Sequence, residues 1–261
     1  MMRLPAIVLA VLLGSAAAAP WLAPYAPDRI DLSSRRAAPT MGHLLGTDEL
    51  GRDVLTRVLY GARISLAVGL LSALVAGASG VVIGGIAGYA GGAVDAVLMR
   101  ITDGILAVPR LPLLMIVSVV LRPSVPLLIL LIGLAGWMET ARVVRAEFLS
   151  LGGRGFVESA RAAGSGHLRV LSRHLLPNAA QAIAVSLTLA VARGILLESA
   201  LSFFGVGVRP PQASWGNMLY QAQASLGTEP WLALAPGLFI LVTTVSVSFA
   251  GDRLAGASRE T

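Results

Sequence analysis
Apolar positions in this chain fall into long unbroken runs rather than into strict alternation, with polar residues gathered between them. Crossing a hydrocarbon core about 30 Å thick takes about 20 apolar residues at the rise of a helix. Six runs qualify, over 4–23, 64–89, 101–121, 125–144, 179–204 and 231–250. They predict an all-α chain with six crossings and both termini on one side. The first run has Arg3 before it and the small residues Ser15 to Ala19 near its end, the layout of a cleavable signal peptide. Because it continues through Trp21 and Leu22, it is read as a retained helix. Either way, the segment from Pro24 to Arg63 lies outside.

The resulting organisation is a first membrane helix over 1–24, an extracytoplasmic segment over 25–63 and a core of five crossings over 64–252. Within that core lie a cytoplasmic loop at 145–178 and an outer loop at 205–230, and a short tail occupies 253–261. The second crossing carries Gly80, Gly84, Gly88 and Gly92, one every fourth residue. That spacing sets them near one face, where missing side chains let another helix backbone approach. The partner is either another helix of this chain or a second subunit. Pro109 and Pro112 interrupt the third crossing around Arg110, and a proline within lipid is tolerated where protein or water satisfies the freed backbone groups. Arg193 and Glu198 lie inside the fifth crossing, about 140° apart around a helix, so each is expected to face a different partner. Asp95, Arg100 and Asp103 are read as a solvated loop cluster.

Composition removes several classes of function. The chain is 56% hydrophobic and only 13% charged over 261 residues, with mean hydropathy +0.78, against about 25% charged residues in a soluble domain. Its net charge of +6 comes from arginines scattered among apolar segments, not from a basic stripe with interleaved aromatics, so nucleic acid is not an expected partner. All basic residues are Arg, which excludes a Walker-type phosphate loop in this chain. Without Cys there are no disulfides, thiolate metal sites or thiol nucleophiles. His43 lies on the opposite side from His167 and His174, and the latter two have no carboxylate at metal-ligand spacing. No Gly-x-Ser-x-Gly elbow occurs. No catalytic residue, metal site or resident cofactor is expected, so the chemistry belongs to partners.

Orientation follows from the arginines between Glu139 and Pro177. Arg142, Arg145, Arg154, Arg161, Arg169 and Arg173 exceed the three glutamates there, the excess expected on the cytoplasmic side. The outer segment 24–63 also carries arginines, which opposes that reading, although Asp28, Asp31, Asp48, Glu49 and Asp53 accompany them. Within the inner loop, Glu158 to Gly164 favours a short helix that stops at glycine, and Gly166 supports a turn. A second helix over His167 to Leu176 then leads through Pro177 into the next crossing. Ser159, Ala160, Ala162 and Ala163 are small enough for a close fit into a groove. An ordinary interfacial helix would instead carry large apolar anchors.

Glu158-Ser159-Ala160, then Gly164, then Leu176-Pro177, resembles the EAA loop through which the permease subunits of binding-protein-dependent ABC importers dock on their ATPases. The departure is Ser159 for the usual alanine. The stretch from His43 to Arg57, the run Tyr60-Gly-Ala-Arg-Ile-Ser-Leu, the run from Glu198 to Pro211 and Ser214-Trp-Gly-Asn-Met-Leu are similar to the dipeptide, oligopeptide and nickel subfamily. The resemblance covers about His43 to Asp252. It implies an all-α, six-transmembrane-helix type I ABC importer permease with a cytoplasmic coupling helix. It further implies a second homologous permease subunit, two ATP-binding subunits that hold ATP and Mg, an extracytoplasmic solute-binding protein and a surrounding lipid bilayer.

On this reading Glu158, Ser159, Ala160, Gly164, Leu176 and Pro177 form the ATPase-coupling loop. Glu198, Ser202, Trp215 and Asn217 are expected at the translocation path or outer gate, with Trp215 and Asn217 also candidates for receiving the binding protein. Peptides are the first choice of solute and nickel the second, since no cluster of metal-ligating side chains is visible in the spans. An ion-coupled secondary transporter would show internal repeats and more ionisable residues at mid-membrane. A non-transporting scaffold leaves the helix-turn-helix island unexplained.

Overall fold
The computed structural model describes residues 4–256, and the ends of the chain, including Arg3 and the last five residues of the tail, lie outside them. The described chain is helical, with no strand beyond an isolated bridge between Thr47 and Asp53. Its helices are α1 (Leu4–Ala17), α2 (Ala19–Leu22), α3 (Val54–Ala90), α4 (Gly92–Leu106), α5 (Arg110–Leu121), α6 (Val125–Leu134) and α7 (Trp137–Gly152). There follow α8 (Gly155–Ala162), α9 (His167–Val170), α10 (Leu176–Phe203), α11 (Trp215–Ala222) and α12 (Trp231–Gly256).

Three helical stretches are long and apolar enough to cross a membrane: Val54–Ala90, His167–Phe203 and Trp231–Gly256. Two bent pairs, α4 with α5 at 76° and α6 with α7 at 42°, are apolar enough to cross when each is taken as one unit, and α1 supplies a shorter apolar helix. The six runs read from the sequence therefore correspond to six helical units with different boundaries. α3 starts at Val54, capped by Asp53, whose carboxylate accepts the Thr56 N–H at 2.8 Å, so ten residues assigned to the outer segment are helix. At 37 residues it is about 55 Å long, well beyond a hydrocarbon core. The third crossing breaks rather than kinks, because Pro109 ends one helix and caps the next. The fourth bends at Ala135–Gly136 and then continues to Gly152, so the start of the expected inner loop is an extension of the crossing.

The core forms where α3 meets α6, α7 and α10. A Cβ added to Gly80 would stand 2.8 Å from Trp137 O, one on Gly84 2.8 Å from Ala141 Cα, and one on Gly88 2.7 Å from Arg145 O. These glycines let the α3 and α7 backbones touch within this chain. Gly92 leaves the stripe: it lies beyond the break at Gly91, opens α4 and has no neighbour for a Cβ within 4 Å. The break turns the chain, so the four-residue spacing no longer refers to one helix face. Asp95 and Asp103 sit on α4 and pair with Arg145 and Arg142 of α7, where a solvated loop was expected. Helix formation at 92–106 aligns these carboxylates with the arginine rows of α7.

The segment before α3 is ordered through its own ion pairs. Asp48 takes Arg52 at 2.7 Å and Arg57 at 3.7 Å, and His43 Nδ1 lies 3.0 Å from Asp53. Arg57 is almost fully buried. These arginines are fixed inside a folded segment, which explains how they coexist with the larger arginine excess at the other end of the helices.

Substituting Gly84→Val should destabilise the purified protein by about 1–3 kcal/mol through overpacking against α7. Gly104→Ala, where a Cβ meets nothing within 4 Å, should leave stability within about 0.5 kcal/mol. Thermal unfolding followed by circular dichroism in detergent compares the two.

Candidate functional site: a short polar helix and a buried polar bracket
α8 is short and polar, and one side chain moors it. Val157 is fully buried in a cluster with Val144, Phe148 and Leu151 of α7 and with Val170 and Leu175 beyond the turn. The anchor stands one residue before the run Glu158–Gly164, which itself carries no large apolar residue. Glu158, Ser159, Arg161, Ala162, Ala163 and Gly164 are exposed, and Ala160 is half-buried. The helix ends as its sequence predicts. Gly164 adopts φ +80°, its N–H donates to Arg161 O at 2.9 Å, and the Ser165 N–H donates to Ala160 O at 3.0 Å. This is the Schellman closure, in which a left-handed residue lets two terminal carbonyls find donors. Nothing would touch a Cβ on Gly164, so glycine is selected there by backbone conformation and not by crowding.

Tyr89, near the end of α3, secures the turn from outside. Its hydroxyl lies 2.6 Å from His167 Nδ1, and the Arg161 guanidinium stands 5.4 Å from its ring centroid. Sequence reasoning missed Tyr89, Phe148 and Val157, because only the fold brings three separate helices together here. The second helix of the expected helix-turn-helix is not separate from the crossing. His167–Phe203 is a continuous 37-residue stretch in which Leu171–Leu175 winds as a π-turn immediately before Pro177. The wide turn accommodates a ring that cannot donate an N–H, and Asn178 Nδ2 donates to His174 O at 2.6 Å. Leu176 and Pro177 are both exposed at this junction.

At the other end of α10, the four remaining candidates come together. Glu198 accepts from Ser65 Oγ of α3 at 2.9 Å and from Ser202 Oγ at 2.7 Å. Ser65 Oγ in turn accepts the Trp215 N–H at 3.2 Å, and Ser202 Oγ accepts the Val208 N–H at 2.9 Å. Asn217 completes a capping box with Ser214 and donates to Gln212 O at 2.7 Å and Val208 O at 3.3 Å. Trp215 Nε1 donates to Val58 O at 3.1 Å. All four residues are buried, Glu198 and Trp215 completely. The arrangement is a bracket that clamps the 205–217 loop and α11 onto α3 and α10. Trp215 and Asn217 thus present no exposed surface on this chain with which to receive another protein. Burial of the indole against Phe239 of α12 is the physical reason.

A third polar feature lies between these ends. Glu139 on α7 stands 2.8 Å from Arg110 of α5 and 2.8 Å from Arg193 of α10. Arg193 therefore pairs across helices, as its angular separation from Glu198 requires. Glu139 and Arg193 line the head of a cavity of about 810 Å³ between α7 and α10 that extends to Arg154, beside α8.

Comparison with known proteins decides the family. Residues 80–259 match the model for the binding-protein-dependent transport system inner membrane component. The chain belongs to that family. This permease is 38% identical over 251 residues to the dipeptide transport system permease protein DppC of Bacillus subtilis (strain 168), covering 96% of this chain and 78% of that one. It is 40% identical over 239 residues to a putative peptide permease protein of Brucella suis biovar 1, covering 91% of this chain and 79% of the other. Among solved structures, an inward-facing form of the MetNI methionine ABC transporter has a similar fold, with TM-score 0.65 at 19% identity over 78% of this chain and 96% of that one. The fold is that of a type I importer permease.

Glu198→Ala would leave the Ser65 and Ser202 hydroxyls without their acceptor, at a cost of about 1–3 kcal/mol for each orphaned buried group. Glu198→Gln keeps an acceptor and should retain most of the stability. Thermal unfolding, with limited proteolysis of the 205–230 loop, reads the difference, and equal behaviour of the two variants would contradict the bracket.

Proposed function
We propose that this permease forms half of the translocation pathway of an ATP-driven importer for di- or oligopeptides, beside a second homologous permease subunit. Two ATP-binding subunits hold the ATP and Mg, and an extracytoplasmic solute-binding protein delivers the solute. The peptide assignment rests on the names of the relatives at 37–40% identity. The α8 end faces the cytoplasm with both termini, in keeping with the arginine excess there. The 205–217 loop and the segment before α3 then face outward.

One observation carries the coupling role: α8 is held by a single buried side chain and a left-handed glycine while its polar, small-residue face stays free. Such a helix is fixed in direction yet open to a groove on an ATPase, which fits the EAA-like motif of Glu158, Ser159, Ala160, Gly164, Leu176 and Pro177. ATP and the loaded binding protein can drive transport only if both favour the same conformation of the bundle. In this scheme Glu198, Ser202, Trp215 and Asn217 shape the outer gate by holding its loop, without touching solute.

Because Gly164 is needed for its backbone angle, Gly164→Asn, which tolerates the left-handed region, should keep at least about half of the receptor-stimulated ATPase activity. Gly164→Val should lose about 90% or more, since a β-branched residue at positive φ is strained. Uptake into proteoliposomes should follow the same order. Full activity in Gly164→Val, for both ATP hydrolysis and uptake, would rule out the coupling role.

A further inference from the structure
The Arg110–Glu139–Arg193 trio has no part in α8 docking or in the bracket at the other end of α10. It sits within membrane-spanning helices, where charges are costly and mark a solute or ion path unless they serve packing. Packing alone explains it poorly. The trio holds two guanidiniums against one carboxylate, and a purely structural pair would balance. Glu139 Oε1 accepts a hydrogen bond from Arg110 Nη2, whereas Oε2 lies 2.8 Å from Arg193 Nη1 without hydrogen-bonding alignment. Among the described residues Arg193 has no other partner, and its side chain is 38% exposed toward the cavity.

That cavity is a groove along two helix faces. Glu139, Val143, Glu147 and Leu151 line it at intervals of four residues on α7, and Gln181, Val185, Leu189 and Arg193 do so on α10. Each set is one helix face, and together they cover about 18 Å along the axis. A volume of about 810 Å³ is in the range that holds small organic ligands. The lining balances Glu139 and Glu147 against Arg154 and Arg193, and Arg110, paired with Glu139 from α5, adds the surplus positive charge at the Arg193 end. A guanidinium with free donors in a fork suits one class of visitor above others, a carboxylate.

We infer that Arg193 is a carboxylate-exchange station on the solute path: an entering solute's carboxylate replaces Glu139 on Arg193, and Glu139 remains neutralised by Arg110. The solute carboxylate takes the trio from a net charge of +1 to zero, and because it must displace Glu139 from Arg193, the solute is held without a deep trap. The inference rests on the peptide reading above, because a peptide supplies a free terminal carboxylate.

The test uses the whole complex in proteoliposomes with its binding protein, supplied with labelled dialanine or its C-terminal amide, each rate corrected for receptor occupancy. Wild type should favour the carboxylate at least tenfold, Arg193→Gln should reduce that ratio to below about twofold, and Arg193→Lys should restore part of it. Glu139→Gln, which removes the competing carboxylate, should lower KM for dialanine and slow kcat, and it serves where Arg193→Gln does not assemble. An unchanged ratio in Arg193→Gln, or an unchanged KM in Glu139→Gln, overturns the station. If wild type takes up neither compound, the peptide reading fails; saturation-transfer NMR of acetate with wild-type and Arg193→Gln complexes then decides the station alone. Acetate contact confined to wild type upholds it, and equal contact or none removes it.

Discussion
Backbone contact between α3 and α7 is the constraint on which the remaining architecture depends. In lipid, helices gain little from burying apolar surface against one another, so close van der Waals approach must hold them. Gly80, Gly84 and Gly88 supply that approach by removing the side chains that would separate the two backbones. Gly194 repeats the device farther along, where a Cβ would stand 3.1 Å from Gly69 Cα and hold α10 to α3. α7 and α10 are thus both referenced to one long helix. The cavity between them, the Glu139–Arg193 pair across it and the root of α8 inherit their positions from that reference.

Polar groups inside the bundle are costly without partners, and where one finds a partner, that partner's location fixes a loop or a helix. Glu198 illustrates this directly. A carboxylate at this depth is costly alone, yet its acceptors organise Ser65 and Ser202, which in turn hold the Trp215 and Val208 amides. The loop before α11 is therefore ordered by a side chain that never reaches its surface. Asp95 with Arg145 and Asp103 with Arg142 do the same for α4, tying a helix after a sharp glycine break back onto α7.

Local features of the chain were legible where one segment determined them. The apolar runs gave the helical units, Pro109 marked a break, and Gly164 marked the end of α8 with its left-handed conformation. The glycine stripe was readable over Gly80 to Gly88 because those residues share one helix. It failed at Gly92 because spacing carries meaning only while the helix continues, and Gly91 ends it. Ion pairs between distant helices had no local signature: nothing near Glu139 announces Arg110 or Arg193. Likewise the burial of Trp215 and Asn217, in a Gly- and Pro-rich loop, had no local signature, since Trp215 is held by α3 and Asn217 by the folded-back 208–214 loop. The family motif singled out Glu158 to Gly164 as a unit, but the mooring of that helix by Val157 and Tyr89 required the fold.

Movement applied at α8 has few ways to dissipate. His167–Phe203 runs as one helix of about 55 Å from the turn after α8 to the bracket around Glu198. Its weakest region is the π-turn at Leu171–Leu175, where hydrogen bonding is irregular and Pro177 withholds a donor. Beyond that point, α10 is locked to α3 by the Gly69–Gly194 approach and by the Ser65–Glu198 hydrogen bond. Close-packed contacts of this kind shift between discrete arrangements instead of stretching. Rigid displacement of α10 would therefore carry α3 with it, and the π-turn is where bending would cost least. Against α7, α10 holds the buried Thr140–Ser186 hydrogen bond at 3.0 Å and the Arg193–Glu139 pair, and of these two only the ion pair lacks hydrogen-bonding alignment, so it would yield first.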